Sequence, residues 1–133
     1  MTHHIFVYGT LRRGGSRSIE DNFPPADFVS SGCITGELYD LGPYPGLLLQ
    51  GNKPVVGEVY QIDDAVLELL DAYEGCNPSD PEHSEYQRLS ITALLPNGTS
   101  VDCHVYEISK NLTLGRSVVH GGDWISYCES KEP

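Results

Sequence analysis

Only one stretch of this chain repeats its apolar residues at helical spacing and carries start and stop signals at both ends. Asp63 and Asp64 stand where an N-cap belongs, and Val66, Leu67, Leu70 and Tyr73 follow along one face. Gly75 stands where a helix stops, which makes Glu74 the last or nearly last helical residue. Most of the remaining chain reads as strand. Residues 4–8 are β-branched and aromatic, and residues 55–62 put Val55, Gly57 and Val59 on one face. Residues 86–95 and 99–108 flank Pro96-Asn97-Gly98, a strong hairpin signal. About six strands with one such helix predict an α+β domain dominated by antiparallel sheet, and closing that sheet into a barrel would remove its exposed edges.

The rest is punctuation. Residues 11–15 read as a loop, and Ser16 or Ser18 opens a short helix that runs to Asn22 and breaks at Pro24-Pro25. Residues 29–41, with Gly32 and Gly36, read as a bent or bulged strand pair. Residues 42–46 form a turn and residues 47–50 a short apolar run. Residues 76–85, with Pro78 and Pro81, form a polar surface loop, and Asp123 caps a short final helix. A chain of 133 residues without a linker or repeat predicts one domain over residues 1–133.

Charge narrows the function. Eight Lys and Arg against 19 Asp and Glu leave a net charge of −11, which argues against nucleic-acid partners that need basic stripes. No apolar run approaches the roughly 18 residues of a membrane span. Residues 1–4 lead straight into a strand-like run with no secretory leader, so a cytosolic location with reduced thiols is expected. Cys33, Cys76, Cys103 and Cys128 form no CxxC pair and the five histidines are dispersed, so a metal site is not expected.

Two segments carry chemical promise. In Val7-Tyr8-Gly9-Thr10-Leu11-Arg12-Arg13-Gly14, a glycine directly after a strand lets the backbone turn sharply, and successive amides in such a turn can converge on a carboxylate. The plainer alternative is a strand-ending turn without a ligand. Glu74 closes the helix, where the negative end of the dipole disfavours its charge and raises its proton affinity, and partial burial would raise it further. A carboxyl tuned upward suits general base and acid work, and a solvated end-of-helix glutamate is the alternative. Tyr86 and Arg88 share a strand face, so Arg88 either binds a carboxylate in a pocket or faces water. No nucleophile elbow occurs, and the cysteines lack a basic neighbourhood apart from His104.

Three stretches in this order carry a resemblance. They are Tyr8-Gly9-Thr10-Leu11 with Gly14, then Pro45-Gly46-Leu47 with Val56-Gly57-Glu58-Val59-Tyr60, then Leu70-Asp71-Ala72-Tyr73-Glu74-Gly75 with Pro78, Asp80-Pro81 and Tyr86-Gln87-Arg88. Gly122-Asp123-Trp124 also fits. The chain resembles the gamma-glutamylcyclotransferase-like superfamily, in its gamma-glutamylamine cyclotransferase and AIG2-like branch. That resemblance implies a small barrel-like mixed fold with flanking helices and no cofactor. It implies a small gamma-glutamyl substrate whose carboxylate binds the amides of the Tyr8–Leu11 turn, with Glu74 as the acid–base residue. The implied reaction is attack of the substrate's own α-amine on its γ-carbonyl, giving 5-oxoproline and a free amine. Cys76 departs from the aromatic or aliphatic residue expected there and stands as a candidate alteration of the pocket wall. A non-catalytic carboxylate-binding module on the same fold, or a hydrolase in which Glu74 activates water, are the competing readings.

Overall fold

The computed structural model describes residues 2–77 and 79–131. Pro78, one of the prolines expected to shape the 76–85 loop, lies outside the described residues. The elements run β1 (Thr2–Val7), α1 (Ile19–Asn22), β2 (Asp27–Asp40), β3 (Pro45–Asp63), α2 (Asp64–Tyr73), β4 (Tyr86–Leu94), β5 (Ser100–Ile108) and α3 (Trp124–Lys131). Short 3-10 turns lie at Pro81–His83 and Lys110–Thr113. The strands close into a barrel in the order β1-β3-β2-β4-β5. Neighbours are antiparallel except β1 and β5, which meet in parallel where Ile5 faces His104. The α+β, barrel-like fold expected from the sequence is the fold observed.

Five strands build it rather than about six. Residues 29–41 belong to one strand, β2, whose ladder with β3 slips between Phe28 and Ser30 and again between Gly36 and Glu37. Residues 47–50 and 55–62 are likewise parts of one strand, β3, although polar, exposed residues 51–54 read as a break. The ladder jumps there from Gly36↔Lys53 to Glu37↔Leu48, so the surplus β3 residues swing out in a bulge that includes Gly51 at a φ of +78°.

Alternation along β1 feeds two cores. Ile5 and Val7 pack with Tyr60 and Ile62 of β3 and with Val66, Leu67 and Leu70 of α2. Phe6 and Tyr8 pack with Val55, Val59, Val105 and Trp124. Fully buried side chains of this size each contribute on the order of 1.5–3 kcal/mol, which fixes α2 against the barrel. The helix begins as expected, with Asp63 accepting a hydrogen bond from the Val66 amide at 2.9 Å. It ends at Gly75, whose φ of +65° is a conformation that disfavours side chains with a Cβ. The apolar stripe stops at Leu70, because Tyr73 is 45% exposed and meets the edge of Phe23 instead. Asp123 accepts from the Ser126 amide at 3.1 Å, as a cap on α3. Among the described residues, no helix is long and apolar enough to cross a membrane.

Candidate active site

A cavity of about 340 Å³ opens where the end of β1, the end of α2 and the start of β4 come together. Tyr8, Gly9, Thr10 and Leu11 line it from the loop after β1, and Glu74 lines it from the end of α2. Glu85 and Tyr86 come from the start of β4, Tyr106 from β5 and Tyr44 from the β2–β3 turn. The glycine bend and the helix-ending acid, with Gly9 and Glu74 65 positions apart in sequence, thus border one concavity.

The bend is held by its carbonyls. Gly9 O accepts from the Arg12 amide at 3.0 Å, Thr10 O from Arg17 at 3.0 Å and Leu11 O from Ile19 at 2.9 Å. Among the described residues, the amides of Gly9, Thr10 and Leu11 find no acceptor. A loop built this way shows donors to the cavity, the arrangement that suits an anion. Gly9 is required sterically, because a Cβ there would lie 2.6 Å from Pro45 Cγ and 2.8 Å from Pro45 Cδ.

A buried ion pair anchors the same loop from behind. Arg12 Nε donates to Glu58 Oε2 and Arg12 Nη1 to Asp123 Oδ1, both at 2.9 Å. The Arg13 amide donates to Glu58 Oε1 at 2.9 Å, and the Tyr60 hydroxyl adds a bond at 3.2 Å. Glu58 is buried, so these contacts replace its water. One carboxylate of β3 therefore fixes the loop, and Arg12 extends the link to the start of α3.

Glu74 is the titrating group of the cavity. Burial, followed by the negative charge of Glu85, pushes its carboxyl up to about 7. Of the two causes expected from the sequence, the helix end and partial burial, removal from water is the one that acts here. Among the described residues no side chain hydrogen-bonds the Glu74 carboxyl, so nothing in the protein competes with a ligand proton for it. At neutral pH both protonation states are populated.

The tyrosines around Glu74 are neutral donors. Tyr8 donates to the Tyr106 carbonyl at 2.7 Å, Tyr86 to the Pro45 carbonyl at 2.8 Å and Tyr106 to Asp71 Oδ1 at 2.7 Å. Tyr44 donates to Glu85 Oε2 at 2.6 Å. Burial raises Tyr8, Tyr86 and Tyr106 above the ordinary phenol range, and the bond to Glu85 lifts Tyr44 to about 12.

Two sequence expectations fall outside the cavity. Arg88 shares a face with Tyr86 but is not on the cavity wall. Its Nε lies 3.0 Å from Asp71 Oδ1, an ion-pair distance, yet it has no hydrogen-bond partner among the described residues. The α2 carboxylate of Asp71 thus draws the guanidinium away from the space where a ligand fits. Cys76 is buried in the core beside α2 and does not line the cavity, because Gly75 turns the chain at that point. The residues missed were Tyr44, Glu85, Arg17 and the Arg12–Glu58–Asp123 network. Glu58 did leave a signal, a charged residue between Gly57 and Val59 in the middle of an apolar strand. The four cysteines are free thiols. Among the described residues, no group of three or more His, Cys, Asp or Glu side chains is placed to hold a metal.

Comparison with known proteins follows the same geometry. The family model described as gamma-glutamyl cyclotransferase, AIG2-like, matches residues 5–126. The gamma-glutamylaminecyclotransferase of Rattus norvegicus is 36% identical over 120 residues, covering 77% of this chain and 76% of its own length. The gamma-glutamylcyclotransferase family protein YtfP of Escherichia coli K12 is 37% identical over 123 residues, covering 91% of this chain and 95% of its own. The crystal structure of an AIG2-like protein from Mus musculus superposes with a TM-score of 0.72 at 28% identity, over 99% of this chain and 91% of that one.

Proposed function

Because the chain belongs to the gamma-glutamyl cyclotransferase, AIG2-like family, we propose that it cleaves gamma-glutamyl amides by cyclisation. The single observation that supports this most is the placement of Glu74, a carboxyl poised near neutral pH, in one cavity with the unpaired amides of the Tyr8–Leu11 bend.

The substrate's α-carboxylate sits on the amides of Gly9, Thr10 and Leu11. Anchoring it there folds the glutamyl chain so that the α-nitrogen approaches the γ-carbonyl, which lowers the entropic part of the barrier. Ionised Glu74 takes a proton from the α-ammonium. The freed amine attacks the γ-carbon, and a five-membered ring closes. As the C–N bond to the leaving amine breaks, protonated Glu74 gives its proton to the departing nitrogen. The ring nitrogen gives its excess proton to the Glu74 carboxylate, which has just been left ionised, and Glu74 passes it on through water to the released amine, which leaves as an ammonium. Products are 5-oxoproline and the amine. The substrate supplies its own nucleophile, so one carboxyl acts in both directions. Tyr8 and Tyr86 wall the cavity and keep water from the γ-carbonyl.

The test is incubation of the full chain with a panel of gamma-glutamyl amides and mass analysis of the products. Release of 5-oxoproline is expected. Free glutamate instead would mean that Glu74 activates water, and tight binding without any product would mean a carboxylate-binding module.

A further inference from the structure

One carboxylate of the cavity has no part in that reaction. Glu85 lines the same space as Glu74, and its amide donates to the Gly75 carbonyl at 3.0 Å. A Cβ built on Gly75 would lie 3.5 Å from Glu85 Oε1, so this carboxylate rests against the residue next to the acid–base group. Tyr44 holds Oε2 at 2.6 Å. Among the described residues, Oε1 has no hydrogen-bond partner and no Lys or Arg pairs with Glu85. Among the described residues, the arginine that lines the cavity is Arg17, whose amide is tied to the Thr10 carbonyl at 3.0 Å, on the loop that carries the donor amides. The cavity is therefore polarised, with donors and Arg17 on the loop after β1 and acceptors at Glu74 and Glu85.

We propose that Glu85 is a specificity-determining residue that reads the charge of the leaving amine, favouring gamma-glutamyl amides whose departing amine carries a second, cationic nitrogen. The inference rests on the cyclotransferase reading. With the α-carboxylate on the loop amides and the γ-carbonyl near Glu74, the leaving group extends toward the remaining polar wall. A cationic nitrogen there completes the shell of Glu85 Oε1. A neutral alkyl chain leaves that oxygen without a partner as water is displaced, and a carboxylate is repelled. Tyr44 fixes the carboxylate in place, so the selectivity is built in before substrate arrives. If Glu85 served only to raise the proton affinity of Glu74, its removal would move the pH profile of every substrate alike. Reading of charge changes the ratios between substrates.

The experiment uses the full chain and three amides of matched length, those of 1,4-diaminobutane, n-pentylamine and 5-aminopentanoate. The readout is kcat/KM from 5-oxoproline release at one fixed pH. The wild-type chain is expected to prefer the diamine over the alkyl amide by roughly tenfold, with the carboxylate-bearing amide last, as expected for a part-screened charge pair. Glu85→Gln keeps an oxygen for the Tyr44 bond and is expected to bring the three within about threefold of one another. Turnover with no preference in the wild type, or a preference that survives Glu85→Gln, would overturn the proposal and leave the cyclotransferase reading standing. The wild-type comparison needs no variant to fold. A chain that turns over none of the three amides, nor any other gamma-glutamyl amide, would overturn both.

Discussion

Tyr8 donates its hydroxyl proton to the backbone carbonyl of Tyr106 at 2.7 Å, across 98 residues of sequence. Both rings line the cavity, so the bond ties the residue that opens the glycine bend to the strand that closes the barrel beside β1. Tyr106 in turn donates to Asp71 of α2, the helix that ends at Glu74. The bend and the Glu74 carboxyl are thus held in one frame by two phenols.

In the proposed mechanism, Glu74→Gln removes the group that carries the proton between the two nitrogens. The expected loss in kcat is a hundredfold to ten-thousandfold, roughly the usual worth of a general base, with an unchanged circular dichroism spectrum. A Gln variant that releases 5-oxoproline at the wild-type rate would remove Glu74 from the mechanism.

The same carboxyl makes a prediction about stability. Its proton affinity is higher in the fold, near about 7, than the 4.5 of an ordinary glutamate, so folding takes up a proton between those values. Its contribution is then most favourable below the ordinary value and is lost as pH rises through about 7. Glu74→Gln should be the more stable protein above neutrality, by roughly 1–3 kcal/mol, with the gap shrinking in acid. Urea midpoints at two pH values on either side of the window decide it; a gap that widens toward acid would contradict the buried, raised carboxyl.

Gly9→Ala puts a methyl group into the Pro45 ring, at 2.6 Å from Cγ. The bend must shift away from β3, at a cost of roughly 1–3 kcal/mol in stability. Because the displaced amides are the proposed carboxylate site, KM should rise while the pH profile set by Glu74 keeps its midpoint. An Ala variant with wild-type KM and melting temperature would show that the close contact is not what orders the loop.

Arg12→Met leaves Glu58 buried without its ion-pair partner. Breaking such a pair from one side typically costs about 3–5 kcal/mol. The double variant Arg12→Met with Glu58→Leu should recover part of the loss in thermal denaturation, since both charges leave together, although the Arg13 amide then loses its acceptor. Strict additivity of the two single losses would argue against a coupled pair.

Much of the frame was legible before any coordinates. The helix carried its own boundaries in Asp63 and Gly75, and the hairpin was written in Asn97-Gly98, because caps and turns are local chemistry. Strand count was not local. Residues 51–54 look like a loop by composition, and only the pairing of Lys53 with Gly36 and of Pro54 with Thr35, on the far side of the slip, joins the two runs into one long strand. The site divided in the same way. Tyr8 to Leu11, Glu74 and Tyr86 were found because sequence order and element ends pointed at them. Arg88 shared the predicted face with Tyr86, but its partner Asp71 comes from a different element and turns the guanidinium aside. Glu85 and Tyr44 gave no local signal, because they lie 41 positions apart and meet only once the chain between them has folded.

The three engaged carbonyls of the bend have a consequence for how an acidic protein handles anions. With a net charge of −11, this chain has little positive charge to place near a carboxylate. A segment whose oxygens are all turned inward presents a locally positive face made of peptide groups, and it needs no titrating or salt-screened side chain to do so. Such a face does not depend on what residue 10 happens to be. It is set by the path of the main chain, and a sequence can drift around it while the electrostatics stay.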